Sequence, residues 1–122
     1  MRRVLLDEGV PIGVRRHIVG CSVETVVEAG WAGLTNGDLI AAAEQAGFDV
    51  MVTTDQNIRY QQTLMGRRMA LVVLGTPHWG TIRASVEAVQ RAVIAAAPGT
   101  YTAVPFDRPV LRRRPRPTTP RG

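Results

Sequence analysis

The stretch VLLDEGVP, residues 4–11, places two adjacent carboxylates directly behind an apolar run and shortly before a proline. The apolar triplet is typical of a short buried strand, and the two acids stand where that strand should end. Burying a charge is costly unless a partner compensates it. From these residues alone two explanations stay open, a solvated loop and a bound metal ion.

Apolar runs of strand type alternate with helical patterns along the rest of the chain. We predict strands at 4–6, 21–26, 49–55, 69–74 and 101–104. Helices are predicted at 11–18, 38–47, 56–64 and 81–97. Uniformly apolar strands that alternate with helices indicate a parallel sheet covered on both faces. The predicted fold class is therefore a doubly wound α/β domain, with its ligand site beyond the carboxyl ends of the strands.

The charge of the chain is unevenly distributed. All 15 basic residues are arginines, and six of them lie in the last fifteen residues, so the remainder is close to neutral. We expect one α/β domain over residues 1–105 and a basic tail over 106–122. The Pro/Arg-rich composition of this tail is typical of a segment without fixed structure. Contact with nucleic acid and a simple solubilising role are both compatible with it.

The cysteine content, the lengths of the apolar runs and the histidine spacing exclude several classes of protein. Cys21 is the single cysteine, so no intrachain disulfide is expected and a reducing compartment is the default. No apolar run approaches the roughly 20 residues that a membrane-spanning helix needs. The first residues do not read as a secretory signal, and we expect a cytoplasmic protein without membrane association. His17 and His78 show no metal-ligand spacing, which argues against zinc.

Three aspartates follow or flank the predicted strands. Asp7 follows the first strand, Asp55 ends the third, and Asp38 lies in the first turn of the helix between them. Taken singly, each has a bland explanation: a solvated strand end for Asp7 and helix capping for the other two. If they converge, two charges about 4 Å apart repel by about 4 kcal/mol at an effective dielectric near 20. Oxygen-only ligands would then favour Mg²⁺ or Mn²⁺.

Three motifs in order, LLDEGVP, GWAGLTNGDLI and VTTDQNIRYQQ, resemble the short bacterial PIN-like domain family. This family is a branch of the PIN ribonuclease superfamily and is related to VapC-type toxins. The resemblance runs from about residue 3 to residue 75. It implies a three-layer α/β/α sandwich with an acidic pocket, and metal-dependent hydrolysis of RNA phosphodiester bonds. The partners it implies are RNA, a cognate antitoxin protein and a second copy of the chain.

The resemblance also implies roles for individual residues. Asp7, Asp38 and Asp55 match the catalytic acids that hold Mg²⁺ or Mn²⁺. Asn57 stands where many PIN nucleases have a further acid, and its amide oxygen remains a metal ligand without charge. Glu8 is a further candidate ligand, provided that the strand has ended before it.

Residues just past Asp55 are candidates for binding the substrate. Arg59, Tyr60 and Gln61 are expected to position a phosphate or to stack on a base. An ordinary surface helix is the alternative for this segment.

Two rival functions remain open at this point. A non-catalytic PIN-like module that binds RNA or a protein would show the same motifs. A response-regulator receiver domain would also have acids after strands one and three and a hydroxyl residue after strand four, here Thr76. Receivers need a lysine after strand five, and the chain contains no lysine.

Overall fold

The computed structural model describes residues 1–58, 64 and 66–106. The strands are β1 Arg2–Leu6, β2 Cys21–Thr25, β3 Val50–Thr53, β4 Ala70–Leu74 and β5 Tyr101–Val104. The helices are a 3-10 helix at Ile12–His17, α1 Asn36–Gln45, α2 Trp79–Ala84 and α3 Val86–Ala95. Most of the predicted helix at 56–64 and the predicted tail from residue 107 onward lie outside the described residues. No helix within the described ranges is long and apolar enough to cross a bilayer.

The five strands form one sheet in the order β2-β1-β3-β4-β5, and every neighbouring pair is parallel. The predicted parallel sheet is therefore confirmed. From β1 the chain moves outward to β2 and then returns to the other side of β1 with β3. The strand order thus reverses between β1 and β3, and the crevice at such a reversal is the usual ligand site of an open α/β sheet.

Both faces of the sheet are buried, which confirms the three-layer arrangement. Successive residues of a strand point to opposite faces. Leu6 and Val52 belong to a core on one side, packed by the 3-10 helix, α2 and α3, whose buried residues there include Val14, Ile82, Val89 and Val93. Leu5 and Met51 belong to a second core beneath α1, which contributes Leu39, Ile40 and Ala43. Each fully buried aliphatic side chain contributes about 1.5–3 kcal/mol.

The two ends of α1 follow from local sequence signals. Thr35 caps the amino end, since its hydroxyl oxygen accepts from the Asp38 backbone amide at 3.3 Å. At the other end Gly47 has φ +90°. Its amide donates to the Glu44 carbonyl at 3.1 Å, and the Phe48 amide donates to the Ala43 carbonyl at 3.0 Å. This is a Schellman termination, in which glycine adopts the left-handed conformation without a steric penalty.

The prediction of one long helix over 81–97 was wrong. The structure has two helices there, separated at Ser85, whose φ of −135° and ψ of 35° are not helical. The helical period holds on each side of the break, because Ile82 and Val89 are both buried. The spacing of apolar residues in the sequence does not show where one helix ends and the next begins along a different axis. In α2 the indole of Trp79 packs against the 3-10 helix, so close to Gly13 that an added Cβ there would approach it to 2.7 Å.

The segment predicted as a helix at 11–18 forms a 3-10 helix instead. Its residues are linked by i to i+3 bonds, such as Val14 N–H to the Pro11 carbonyl at 3.0 Å. Arg15 fixes this helix to the edge of the sheet through Glu28 at 2.8 and 2.9 Å and through the Val23 carbonyl at 2.9 Å. These tertiary bonds hold the 3-10 helix against the sheet.

Candidate site at the carboxyl edge of the sheet

The crevice between β1 and β3 brings two of the predicted acids together. Leu6 pairs with Val52, and the Asp7 amide continues the ladder by donating to the Val52 carbonyl at 2.9 Å. Asp7 and Thr53 are therefore side by side, immediately beyond the paired residues. Because side chains alternate along a strand, both point to the face covered by α1.

The hydroxyl of Thr53 joins Asp7 to Asp55. Thr53 is fully buried, with 0% of its surface exposed, and it is the one buried polar residue in the part of the chain that the structure describes. Its oxygen accepts from the Asp55 amide at 3.1 Å and donates to Asp7 Oδ2 at 2.7 Å. A hydroxyl has a single proton. The bond from Asp55 therefore leaves that proton directed at the carboxylate of Asp7.

The carboxylate of Asp55 is held by two donors. Asn36 Nδ2, at the start of α1, donates to Oδ2 at 2.8 Å. The Asn57 amide donates to Oδ1 at 2.9 Å, as expected of an aspartate that caps the following turn. Capping and membership of the acidic site are therefore compatible, because each uses a different oxygen of Asp55.

The second oxygen of Asp7 is bound locally. Oδ1 accepts from the Glu8 amide at 2.8 Å, which orients the carboxylate across the end of β1. Glu8 itself is exposed to solvent.

The other predicted site residues are not joined to Asp7 and Asp55 in the same way. Asp38 is exposed in the first turn of α1, and Asn57 is exposed in the turn after β3. Within residues 1–58, 64 and 66–106, no three or more histidine, cysteine, aspartate or glutamate side chains group together in a way suited to a metal ion. The structure thus joins Asp7 to Asp55 and leaves Asp38 outside that pair. Arg59, Tyr60 and Gln61 lie outside the described residues.

The loops after β1 and β3 are packed tightly against each other. A Cβ added to Gly9 would come within 2.5 Å of Thr54 Oγ1. Gln56 Nε2 donates to the Leu74 carbonyl at 2.5 Å and to the Thr54 carbonyl at 2.9 Å, which ties the loop after β3 to the end of β4. These contacts hold the backbone that presents Asp55.

A pocket of about 410 Å³ adjoins Asp7 on the side of β2. Its walls are mainly aliphatic, and Asp7 and Glu8 provide its charged residues. The lining residues are Asp7, Glu8, Val10, Ile12, Thr25, Val26 and Val27. The carboxyl edge of the sheet therefore also carries a largely apolar pocket between the ends of β1 and β2.

No family model, curated protein or solved structure matches the chain. The relationship that the structure establishes is the fold alone, an α/β domain with a five-stranded, all-parallel sheet.

Sequence reasoning missed Thr53 and Asn36. Thr53 ends an otherwise apolar strand, and a hydroxyl at that point is the signal that was available. Asn36 is the first residue of α1, where an asparagine is commonly explained as part of the helix cap. Neither signal shows which carboxylate the side chain will bind, because both contacts join residues distant in sequence.

Carboxylate oxygens such as those of Asp7 and Asp55 are the type of ligand that a hard divalent cation prefers. Mg²⁺ is commonly held by one or two carboxylates, with water and substrate phosphate completing its coordination. Each carboxylate oxygen of Asp7 and Asp55 accepts one hydrogen bond from the residues above and retains a further lone pair. Hydrogen bonds of this kind orient metal-binding carboxylates.

Proposed function

We propose that this chain is a metal-dependent ribonuclease of the PIN-like family, which hydrolyses RNA phosphodiester bonds as the toxin of a toxin–antitoxin pair. The observation that supports this most is the pair Asp7 and Asp55, joined by the buried hydroxyl of Thr53 at the reversal of the strand order. Ligands of open α/β sheets bind at that position. The motif resemblance implies three catalytic acids, Asp7, Asp38 and Asp55, and two of them form this pair.

In this proposal Asp7 and Asp55 would hold Mg²⁺ or Mn²⁺, with Asp38 and Asn57 as further candidate ligands. When bound, the cation would supply an activated water and would offset the charge that develops on the phosphate. The hydroxyl of Thr53 donates to Asp7 and thereby orients that carboxylate. The side-chain amide of Asn36 orients the carboxylate of Asp55 in the same way.

A second candidate is a non-catalytic PIN-like module that binds RNA or protein. The observation in its favour is that two carboxylates, not three, are brought together in the described part of the chain. The receiver interpretation gains from the strand order, which receivers share. It lacks the lysine that receivers require, and fold alone does not decide function.

The test is cleavage of RNA by the purified full-length chain. A panel of single-stranded and hairpin RNAs is incubated with Mg²⁺, with Mn²⁺ and with EDTA. We expect cleavage with either metal and none with EDTA, Asp7→Asn or Asp55→Asn. Asp49→Asn is the matched control, because Asp49 is an exposed aspartate at the opposite edge of the sheet that binds the Arg3 amide.

The alternatives give different results in this assay. RNA that stays intact with both metals, while binding of RNA is retained, favours the binding module. Equal loss of cleavage in Asp49→Asn would show that the effect is one of folding and not of the site.

A further inference from the structure

Asp55 reaches the acidic site from a loop, whereas Asp7 directly continues a paired strand. The loop spans residues 54–57, and Thr53 and Ile58 on either side of it are both fully buried. These two residues fix where the loop begins and ends. They do not fix its distance from the loop after β1, so the position of the Asp55 carboxylate relative to Asp7 depends on contacts of the loop itself.

On the side of β1 the loop contacts Gly9. Thr54 Oγ1 lies 2.5 Å from the position that a Cβ of residue 9 would take. Ordinary contact with a Cβ begins near 3.4 Å, so a side chain at residue 9 would push this oxygen away by about 0.9 Å, the difference between the two distances. The φ of Gly9 is not positive, and it is therefore the close approach of Thr54 that requires glycine here.

On the side of β4 the loop is held by Gln56. Its side-chain nitrogen Nε2 carries two protons and donates to two carbonyls. One is the Thr54 carbonyl at 2.9 Å, and the other is the Leu74 carbonyl, at the end of β4, at 2.5 Å. The loop that carries Asp55 is thus held between the ends of β1 and β4.

We infer that Gly9 and Gln56 are positioning residues of the acidic site, which set the place of Asp55 relative to Asp7. A productive site tolerates displacements of about 0.5 Å. The displacement needed at Gly9 is larger, so a single methyl group at residue 9 should move Asp55. Rotation of the Thr54 side chain would relieve the contact without moving the loop, but χ1 of a β-branched residue is restricted. Where the inference concerns a cation, it rests on the proposed function.

Gly9→Ala in the full-length chain tests the inference without metal or RNA. The amide signals of Asp55 and Asn57 are recorded by NMR in EDTA, because these amides donate to Thr53 Oγ1 and to Asp55 Oδ1. We expect Gly9→Ala to shift both signals. In a Thr54→Ala background, which lacks the oxygen that meets the new Cβ, the same substitution should leave both signals in place.

The second measurement is the affinity for Mn²⁺, followed by the electron paramagnetic resonance of the free ion. We expect Gly9→Ala and Gln56→Met to weaken it by about tenfold or more, as is found for other residues that orient metal-binding carboxylates. Methionine resembles glutamine in shape but donates no hydrogen bond. Gln45→Met, at the exposed end of α1, is the matched control and should bind Mn²⁺ as the parent does.

The outcomes separate this inference from the proposed function. A parent chain that binds no Mn²⁺ would count against the proposed function alone, because the amide signals still report the position of the loop. Amide shifts that are equal in the parent and Thr54→Ala backgrounds, or absent from both, would overturn the inference. Unchanged Mn²⁺ affinity in both Gly9→Ala and Gln56→Met would also overturn it.

Discussion

Replacing Thr53 by valine tests whether the buried hydroxyl holds the site together. Valine has nearly the same shape, so the core beneath α1 stays filled. The substitution removes the 2.7 Å bond to Asp7 and the 3.1 Å bond from the Asp55 amide. A hydrogen bond to a charged group is worth about 1.5–3 kcal/mol, and one between neutral groups about 0.5–1.5 kcal/mol.

The expected loss is about 2–3 kcal/mol in the free energy of unfolding. This value lies in the lower half of the sum of the two hydrogen-bond contributions. Asp7 and Asp55 are only half-buried, so water replaces part of the hydrogen bonding that they lose. Thr53→Ser is the matched comparison. It keeps the hydroxyl and removes one buried methyl group, which costs about 1 kcal/mol. The valine variant should therefore be the less stable of the two.

Urea unfolding followed by the fluorescence of Trp31 and Trp79 and by circular dichroism measures both variants. Combining Thr53→Val with Asp7→Ala should give less than the sum of the two single losses, by about 1 kcal/mol. If Thr53 serves only as packing, the order inverts, with valine as stable as the parent and serine the weaker. That inversion would refute the reasoning, as would additive losses in the double variant.

Three further predictions concern the metal, an ion pair and a turn. Mn²⁺ at about a hundred times its dissociation constant should raise the free energy of unfolding by about 2.7 kcal/mol, and much less in Asp55→Asn; equal thermal shifts in both proteins would rule out a metal at Asp55. The hydrogen bond from Arg15 holds the pKa of Glu28 below its ordinary value, so this stabilisation is present above that value and is lost as the pH falls through the lowered pKa. Urea midpoints between about pH 5 and about pH 3 should therefore fall more for the parent than for Glu28→Gln, and parallel curves would contradict the linkage. Gly47→Ala should cost about 1–2 kcal/mol in urea unfolding, because φ there is +90°. Gly80→Ala, which meets no atom within 4 Å, should be neutral or stabilising, and equal losses at both glycines would contradict the role given to φ.

The sequence by itself determined the class of fold and the ends of several elements. Uniformly apolar strands between helices indicated a parallel sheet, because burial on both faces leaves no polar alternation. Thr35 or Asn36 at the start of α1 and Gly47 at its end were recognisable signals, since capping and left-handed geometry are local properties of the residues concerned. The sequence also placed Asp7 after the first strand and Asp55 at the end of the third, and in a parallel sheet the carboxyl ends of the strands share one edge.

Only the tertiary structure decided which strands are neighbours and which acids meet. The order β2-β1-β3 places Asp7 beside Thr53, and nothing in either local segment specifies that pairing. The break at Ser85 and the packing of Trp79 on Gly13, a residue from a distant part of the chain, were likewise evident only in the structure. Asp38 shared the sequence signal of Asp7 and Asp55 but lies outside their pair. Local patterns record burial and periodicity, whereas strand order and side-chain partners are set by contacts between residues far apart in the chain.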